Sequence, residues 1–352
     1  MLGGGERYPL ELARALARRI DCELLTYGPV SGLTREPGGL VIRTLRPVAH
    51  LYDHPAHPVA AGLFRALAEA DLVHTHHMRS TPSRMAALAA RARGQTVAVT
   101  DHGLQGSDWA GLLPRLFHRL LAVSSFSARV LRFPVERTRV IYGGADPERF
   151  KPIDGETRRG ALFVGRLTPH KGVDRLIAAL PSGAELRVAG SGGHDRRLPE
   201  RHYPQYLRRL ADGRSVAFLG AVAEDVLPSL YRQAAVLALP SVEYTCYGRR
   251  VQISELLGLV VLEAMASGTP VVCSRLGGLT EVVQDDLTGY LVEPGNVAEL
   301  RQRLSEILFR PELARRLGRN ARELARERFT WDTCAERSLA AYFELRATKH
   351  GA

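Results

Sequence analysis

Residues 255–272 read ELLGLVVLEAMASGTPVV: two carboxylates, Glu255 and Glu263, with seven residues between them, then an apolar run that breaks at Gly268 and resumes at Pro270. The spacing predicts a loop from Glu255 into a helix that begins at Glu263 and ends at Gly268, with Pro270 opening a buried strand. Carboxylates bracketing a helix N-terminus lie beside free backbone N–H groups, which favour an anion such as a diphosphate. By itself the pair reads first as two solvated glutamates around a core helix. The residues upstream decide between the two.

There, residues 162–174 read LFVGRLTPHKGVD, a strand and a glycine turn, then Arg166 and Lys171 just ahead of a helix. Two permanent cations at the carboxyl end of a strand neutralise a departing diphosphate, arginine by bidentate contact and lysine as a point charge. Three more glycine turns follow strands in this half, at Gly190-Ser-Gly-Gly193, Gly220 and Gly277-Gly278.

Outward from these stretches, short β-branched or leucine-rich runs alternate with amphipathic helices along the whole chain, the pattern of parallel sheets covered by helices. The first half carries a helix at 6–19 and strands at 23–26, 40–45, 72–76, 96–100, 120–123 and 140–141. Residues 142–160, YGGADPERFKPIDGETRRG, lack apolar periodicity and form the expected linker. Domains are therefore expected at 1–150 and 151–330. In the second, strands fall at 161–164, 185–189, 216–219, 236–239, 271–273 and 290–292, and helices at 297–308, 311–327 and 330–346. One detail departs from the alternation: Gly3-Gly4-Gly5 leads into the first helix with no strand ahead of it. A doubly wound sheet normally has its first strand at the centre, so omitting it is expected to open a groove in the core.

A chain of 352 residues, 45% apolar, is long enough for two domains with their own cores. Its four cysteines, Cys22, Cys246, Cys273 and Cys334, lie far apart and read as reduced thiols, neither a disulfide frame nor structural zinc. Lys+Arg 48 against Asp+Glu 37 give a net charge of +11, but the arginines are scattered over many helix faces as a solvated background, which argues against nucleic acid. No run reaches the ~18 apolar residues of a membrane helix, and no secretion signal opens the chain, so a cytoplasmic protein is expected, at most peripheral to a membrane.

In this order and spacing, the motifs resemble the family 4 retaining glycosyltransferases of the GT-B fold, glycosyl transferase group 1, over nearly the whole chain. GGGERYPLELARAL looks like that family's opening loop and first helix, and ADLVHTHH like its mid-domain strand. VAVTDHG resembles the strand end that carries a catalytic-site histidine, and VIYGGADPERFKP the interdomain segment. FVGRLTPHKGVDRLI looks like the Arg/Lys signature and ELLGLVVLEAMASGTPVV like the Glu-x7-Glu signature. The resemblance implies two Rossmann-like domains facing a cleft, the donor mainly on the C-terminal one, the acceptor on the N-terminal one, and the last helix, about 331–348, packed back on the first domain.

It further implies a role for each matching residue. Gly3 and Gly4 let backbone approach the donor diphosphate, whose charge Arg166 and Lys171 bind. Glu255 faces the transferred sugar's hydroxyls, N–H groups around Gly258, Leu259 and Val260 touch sugar or phosphate, and Glu263 holds the ribose. His102 hydrogen-bonds the sugar near the reacting carbon. The family retains anomeric configuration by front-face attack of an acceptor hydroxyl and needs no metal, and no DxD triad stands in this sequence. The expected donor is a UDP- or GDP-sugar, and the acceptor a sugar, a lipid-linked glycan or a small metabolite.

Three places depart from the pattern. The first strand is absent, Gly143-Gly144-Ala145-Asp146 stands where Asn-Gly-Val-Asp is common, and residues 242–254 add a loop of about ten residues ahead of Glu255. With Tyr244, Tyr247, Arg249 and Arg250, that loop is expected at the rim of the sugar site or as a surface excursion. It also makes Glu243 a rival to Glu255. His74, His76 and His77 look like a metal cluster, but strand alternation sends His76 and His77 to opposite faces unless the chain bends there. In 112–121, Leu113, Leu116, Phe117 and Leu120 oppose Arg115, His118 and Arg119, a helix that faces either the core or an anionic bilayer. Two rivals remain: a catalytically silent sugar-nucleotide binder, and a nicotinamide-dependent oxidoreductase, for which Gly3–Gly5 lacks the strand-GxGxxG-helix pattern.

Overall fold

In the computed structural model, which describes residues 4–51, 57–103, 111–153, 155–192 and 200–350, the chain divides into two units. One comprises residues 5–143 with the segment from Trp331 onward, the other residues 144–330 with Gly4. The break lies at Gly143/Gly144, ahead of the 150/151 boundary read from the sequence. Ala145 is already tied to the second unit, its N–H donating to the Phe329 carbonyl at 2.9 Å in a bridge to Thr330.

The N-terminal unit opens with α1 (Gly4–Ala17), which buries Tyr8, Leu12, Ala13, Ala15 and Leu16 on the face that the apolar spacing defines. Gly4 and Gly5 belong to its first turn, not to a loop ahead of it. Strands β1 (Glu23–Tyr27), β2 (Gly32–Arg35) and β3 (Val41–Leu45) form one sheet in the order β1-β3-β2. A short pair follows, β4 (Ala49–His50) with β5 (Pro58–Val59). Neither pair member nor β2, exposed along its length, carries an alternating apolar signal. Strands β6 (Leu72–His76), β7 (Thr96–Thr100), β8 (Arg119–Ala122) and β9 (Thr138–Val140) make a second sheet, parallel throughout. Among the described residues no ladder joins these two sheets.

Helices α2 (Leu63–Ala66), α3 (Thr81–Ala92) and α4 (Ser125–Val130) connect the strands. Side-chain caps start two of them: Ser80 accepts the Ser83 N–H, and Ser124 forms a capping box with Ser127. The helix expected over 112–121 does not form. Leu113–Leu116 is one 3₁₀ turn and Arg119 already starts β8. Leu113, Phe117 and Leu120 are buried in the core. No bilayer-facing stripe remains, because its apolar residues are consumed by the interior.

In the C-terminal unit, strands β10 (Arg159–Val164), β11 (Leu186–Ala189), β12 (Val216–Gly220), β13 (Ala234–Leu239), β14 (Val271–Ser274) and β15 (Gly289–Val292) form one parallel sheet in the order β12-β11-β10-β13-β14-β15. The central strands read as near-continuous apolar runs because both faces are covered; β13, AAVLAL, is buried at every position. The cover comes from α5 (Val173–Ala179), α6 (Tyr203–Leu210), α7 (Leu227–Arg232), α8 (Leu259–Ala266), α9 (Leu279–Val282), α10 (Val297–Leu308) and α11 (Pro311–Arg328). Helix α8 starts at Leu259, four residues before the Glu263 start expected. Gly258, at φ +89°, takes the left-handed turn that lets the helix begin there.

The last helix, α12 (Trp331–His350), is part of the N-terminal unit. Trp331 meets the Tyr8 ring edge-on at 5.2 Å, and Glu344 pairs with Arg119 and Arg139. Among the described residues no helix is long and apolar enough to cross a membrane.

Candidate functional site

Strand order in the C-terminal sheet reverses between β10 and β13, and loops leaving the carboxyl ends at such a switch point diverge and leave room for a ligand. Both loops here carry the residues singled out from the sequence. After β10 the chain passes Arg166, which is exposed, and turns through Pro169–Lys171 into Gly172. Gly172 sits at φ +68°, and a Cβ on it would lie 1.9 Å from the Pro240 carbonyl oxygen. Only glycine permits that approach, and it presses the lysine turn onto the end of β13. The Val242 N–H donates to the His170 carbonyl at 2.8 Å and completes the clamp.

Lys171 Nζ donates to Glu255 Oε1, and the Ser241 hydroxyl donates to the same oxygen at 2.6 Å. Glu255 and Ser241 are buried, and the Lys171 side chain is 16% exposed. Of the two rival carboxylates, Glu255 pairs with the lysine, while Glu243 is exposed. His170, beside the lysine, is pushed down to about 3 by burial and then by the charges of Lys171, Arg166 and Arg249. The turn therefore carries a neutral imidazole among cations.

From Glu255 the chain runs into α8. The Gly278 N–H donates to the Glu255 carbonyl at 3.2 Å, so the Gly277-Gly278 turn after β14 supports this loop. No side chain caps α8, and Gly258, Leu259 and Val260 at its start are partly exposed. An uncapped start of this kind suits an anion. Glu263 lies in the second turn, buried, with Oε2 accepting from the Tyr231 hydroxyl at 2.7 Å. The structure thus brings Lys171, Glu255 and Ser241 together and turns Glu263 toward α7.

The extra residues ahead of Glu255 form a short hairpin, with Tyr244 bridged to Arg250 and the Thr245 N–H donating to the Arg249 carbonyl at 3.0 Å. Arg249 pairs with Glu200 at 2.5 Å, and the Ser254 hydroxyl donates to the His170 carbonyl at 3.4 Å. The base of the hairpin is thus fixed to the lysine turn.

In the N-terminal unit, His102 follows β7 and His76 ends β6. Here the chain makes the bend without which the histidines would diverge. His77 adopts φ +62°, bending the chain where alternation would have carried it across the sheet. His76 Nδ1 and His102 Nε2 share a hydrogen bond of 3.2 Å, and the His77 ring meets that of His102 edge-on at 5.0 Å. His74 bonds the Tyr342 hydroxyl at 2.7 Å through Nδ1 and the Thr100 hydroxyl at 2.9 Å through Nε2. Buried Asp101 accepts from the N–H groups of Met78 at 2.9 Å and Gly103 at 2.8 Å, fixing both strand ends.

Burial pushes all four imidazoles down, His74 to about 3, and for His76 and His102 neighbouring imidazoles add to it. Neutral rings of this kind make hydrogen bonds without attracting charge. Among the described residues no group of three or more His, Cys, Asp or Glu side chains has the geometry to hold a metal ion. Gly4 begins α1, and a Cβ on the next residue, Gly5, would lie 3.0 Å from His77 Nε2; Gly3 and Gly193 lie outside the described residues.

Ser241, Asp101 and His76 are the residues that sequence reasoning missed. Ser241 stood next to Pro240 at the end of an apolar run, a place where a buried hydroxyl at a strand terminus is a signal. His76 was visible but discounted by strand alternation.

Comparison with known proteins follows the same division. Residues 145–324 match the family model described as glycosyl transferases group 1, and residues 2–149 that of Glycosyltransferase Family 4. An uncharacterized glycosyltransferase of Methanocaldococcus jannaschii is 32% identical over 232 residues, covering 60% of this chain and 55% of that protein. A D-inositol 3-phosphate glycosyltransferase of Streptomyces avermitilis is 30% identical, covering 97% of this chain and 82% of that protein. The match thus spans little more than half of the first relative and most of the second. Among solved structures, Anabaena HepE in complex with UDP and glucose has a TM-score of 0.75 at 20% identity, covering 97% of this chain and 96% of that one. Such likeness identifies the fold class as GT-B.

Proposed function

The chain belongs to the glycosyl transferases group 1, and on that premise we propose that it moves a hexosyl group from a nucleoside diphosphate sugar to an acceptor hydroxyl, with retention and without a metal. One observation carries the reading. At the switch point of the C-terminal sheet, a lysine pairs with a buried glutamate, whose same oxygen accepts from a buried serine, beside an uncapped helix start. Charge growing on the leaving diphosphate is the main quantity to stabilise, and preorganised cations and backbone dipoles do this without reorganising.

In this reading Lys171 and Arg166 bind the diphosphate, with Gly3 and Gly4 admitting backbone close to it. The N–H groups of Gly258, Leu259 and Val260 receive phosphate or sugar oxygens. Glu255 orients Lys171 and faces the sugar hydroxyls, Glu263 holds the ribose, and His102 bonds the sugar near the reacting carbon. The acceptor attacks from the face the diphosphate leaves, and no side chain forms a covalent intermediate. A donor with uracil or guanine fits the reading, since the Anabaena neighbour holds UDP and a Mycobacterium tuberculosis relative is a GDP-mannose-dependent mannosyltransferase. The acceptor is a sugar, a lipid-linked glycan or a small metabolite; the basic charge alone supports an anionic, membrane-borne one.

A thermal-shift screen of UDP-glucose, UDP-N-acetylglucosamine, GDP-mannose and NAD tests this. One sugar nucleotide should raise the melting temperature and release its diphosphate on incubation, and NAD should do neither. Stabilisation by NAD alone would move the protein to the oxidoreductase class, and binding without turnover to the silent binders.

A further inference from the structure

The imidazoles at the end of β6 and β7 are more than a buried filling, because one is bonded directly to the histidine assigned to the transferred sugar. We propose that His76 is a positioning residue: its hydrogen bond to His102 holds the His102 ring and fixes which of its nitrogens carries the proton, so that Nδ1 faces the sugar in one defined role. This rests on the reading of His102 given above.

Geometry supports it at each step. His76 Nδ1 and His102 Nε2 lie 3.2 Å apart, and the two rings are nearly parallel, at 14°, with centroids 5.5 Å apart. His102 Nε2 is thus occupied, and among the described residues nothing bonds its Nδ1. A neutral imidazole has one donor and one acceptor nitrogen, so whichever role Nε2 takes in its bond to His76, Nδ1 takes the other. Both rings are held neutral by their enclosure, which keeps the shared bond from becoming a repulsion between imidazolium ions.

Behind His76 stands a second support. The His74 ring lies 4.6 Å from that of His76 and is itself fixed at both nitrogens, by Tyr342 of α12 and by Thr100 of β7. Tyr8 closes the other side, its ring 4.9 Å from that of His102. His76 can therefore neither swing away nor exchange its partner without displacing rings on both sides.

Two measurements test the proposal on the full chain. Imidazole ¹⁵N shifts of the unliganded wild type should show His102 in a single neutral tautomer near pH 7, in His76→Asn the same tautomer, and in His76→Phe a mixture. Asparagine is the conservative variant because its side-chain amide superposes on Nδ1. With the sugar nucleotide that the thermal screen selects, His76→Phe should lower kcat about tenfold with donor KM little changed, a loss typical of broken coupling between neighbours. His76→Asn should recover most of it, and His76→Phe should cost nothing further in a His102→Ala background.

A tautomer mixture at His102 in the wild type would overturn the proposal even if His76→Phe failed to fold. So would full kcat in His76→Phe while His102→Ala is impaired. Full turnover in His102→Ala would instead overturn the role of His102 itself, whatever the His76 variants do.

Discussion

At the ends of β10 and β13 the C-terminal unit sets Lys171 against Glu255 in an ion pair, whereas at the ends of β6 and β7 the N-terminal unit packs His74, His76, His77 and His102 so closely that burial holds them neutral. The sheets behind them differ as well. One is a continuous six-stranded parallel sheet with a single switch point, the other is split into three-stranded, two-stranded and four-stranded sheets. Fixed charge on a rigid strand end suits an anionic leaving group, and uncharged rings suit hydroxyls that must be oriented without being ionised. The same kind of α/β unit thus carries two kinds of polar arrangement, and each can be broken separately.

Removing the charge should have the largest effect. Lys171→Ala and Glu255→Ala should each lower turnover roughly a hundredfold or more with the fold intact by circular dichroism, because each removes a preorganised part of the proposed leaving-group site. A near-wild-type rate in either variant would take that residue out of the site.

Next comes the turn that places the lysine. Gly172→Ala puts a Cβ 1.9 Å from the Pro240 oxygen in a left-handed conformation, which should cost about 2 kcal/mol or more in chemical denaturation. An unchanged midpoint would mean that the turn relaxes freely.

Acid should separate the units. A histidine whose pKa is lowered on folding binds its proton more readily when unfolded, so its contribution is fully present above about 6.5 and is lost as pH falls toward the folded value. For His74 and His170 that window runs from the ordinary value of 6.5 down to about 3. The N-terminal unit carries four such rings, so hydrogen-exchange protection factors, corrected for the pH dependence of intrinsic exchange, should fall more between pH 7 and pH 5 in β6 and β7 than in β10 and β13. An equal fall would remove the distinction between the units.

The smallest effect is expected at the hairpin. Glu243 is exposed and outside the lysine pair, so Glu243→Ala should leave kcat within about twofold, as surface substitutions do. A loss comparable to that of Glu255→Ala would reopen the choice between the two carboxylates.

Much of the fold was legible in residue order. The runs at 72–76 and 96–100 form strands with those bounds, because the Val and Thr residues in each favour extended backbone. Boundaries set by backbone geometry were harder. Helix α8 begins at Leu259 because Gly258 can take a positive φ, a property that residue type permits but does not demand. At 112–121 a 3.6-residue spacing of leucines suggested a helix, and tertiary packing took the same leucines into the core through a single turn and a strand.

Within the site, Arg166, Lys171 and Glu255 were visible as charges in a glycine-rich context, and a pairing between the latter two needs only the adjacency of β10 and β13. Ser241 and His76 were not legible as supports. One depends on a side chain closing over a carboxylate 14 positions away in sequence, the other on a bend at His77.

The most direct test of the central claim is a calorimetric titration of UDP and of GDP into the wild type and into Lys171→Ala. The account predicts that the wild type binds one of the two and that Lys171→Ala binds it at least about tenfold more weakly, as expected for loss of a charge-assisted bond. Equal affinity in the two proteins would contradict it.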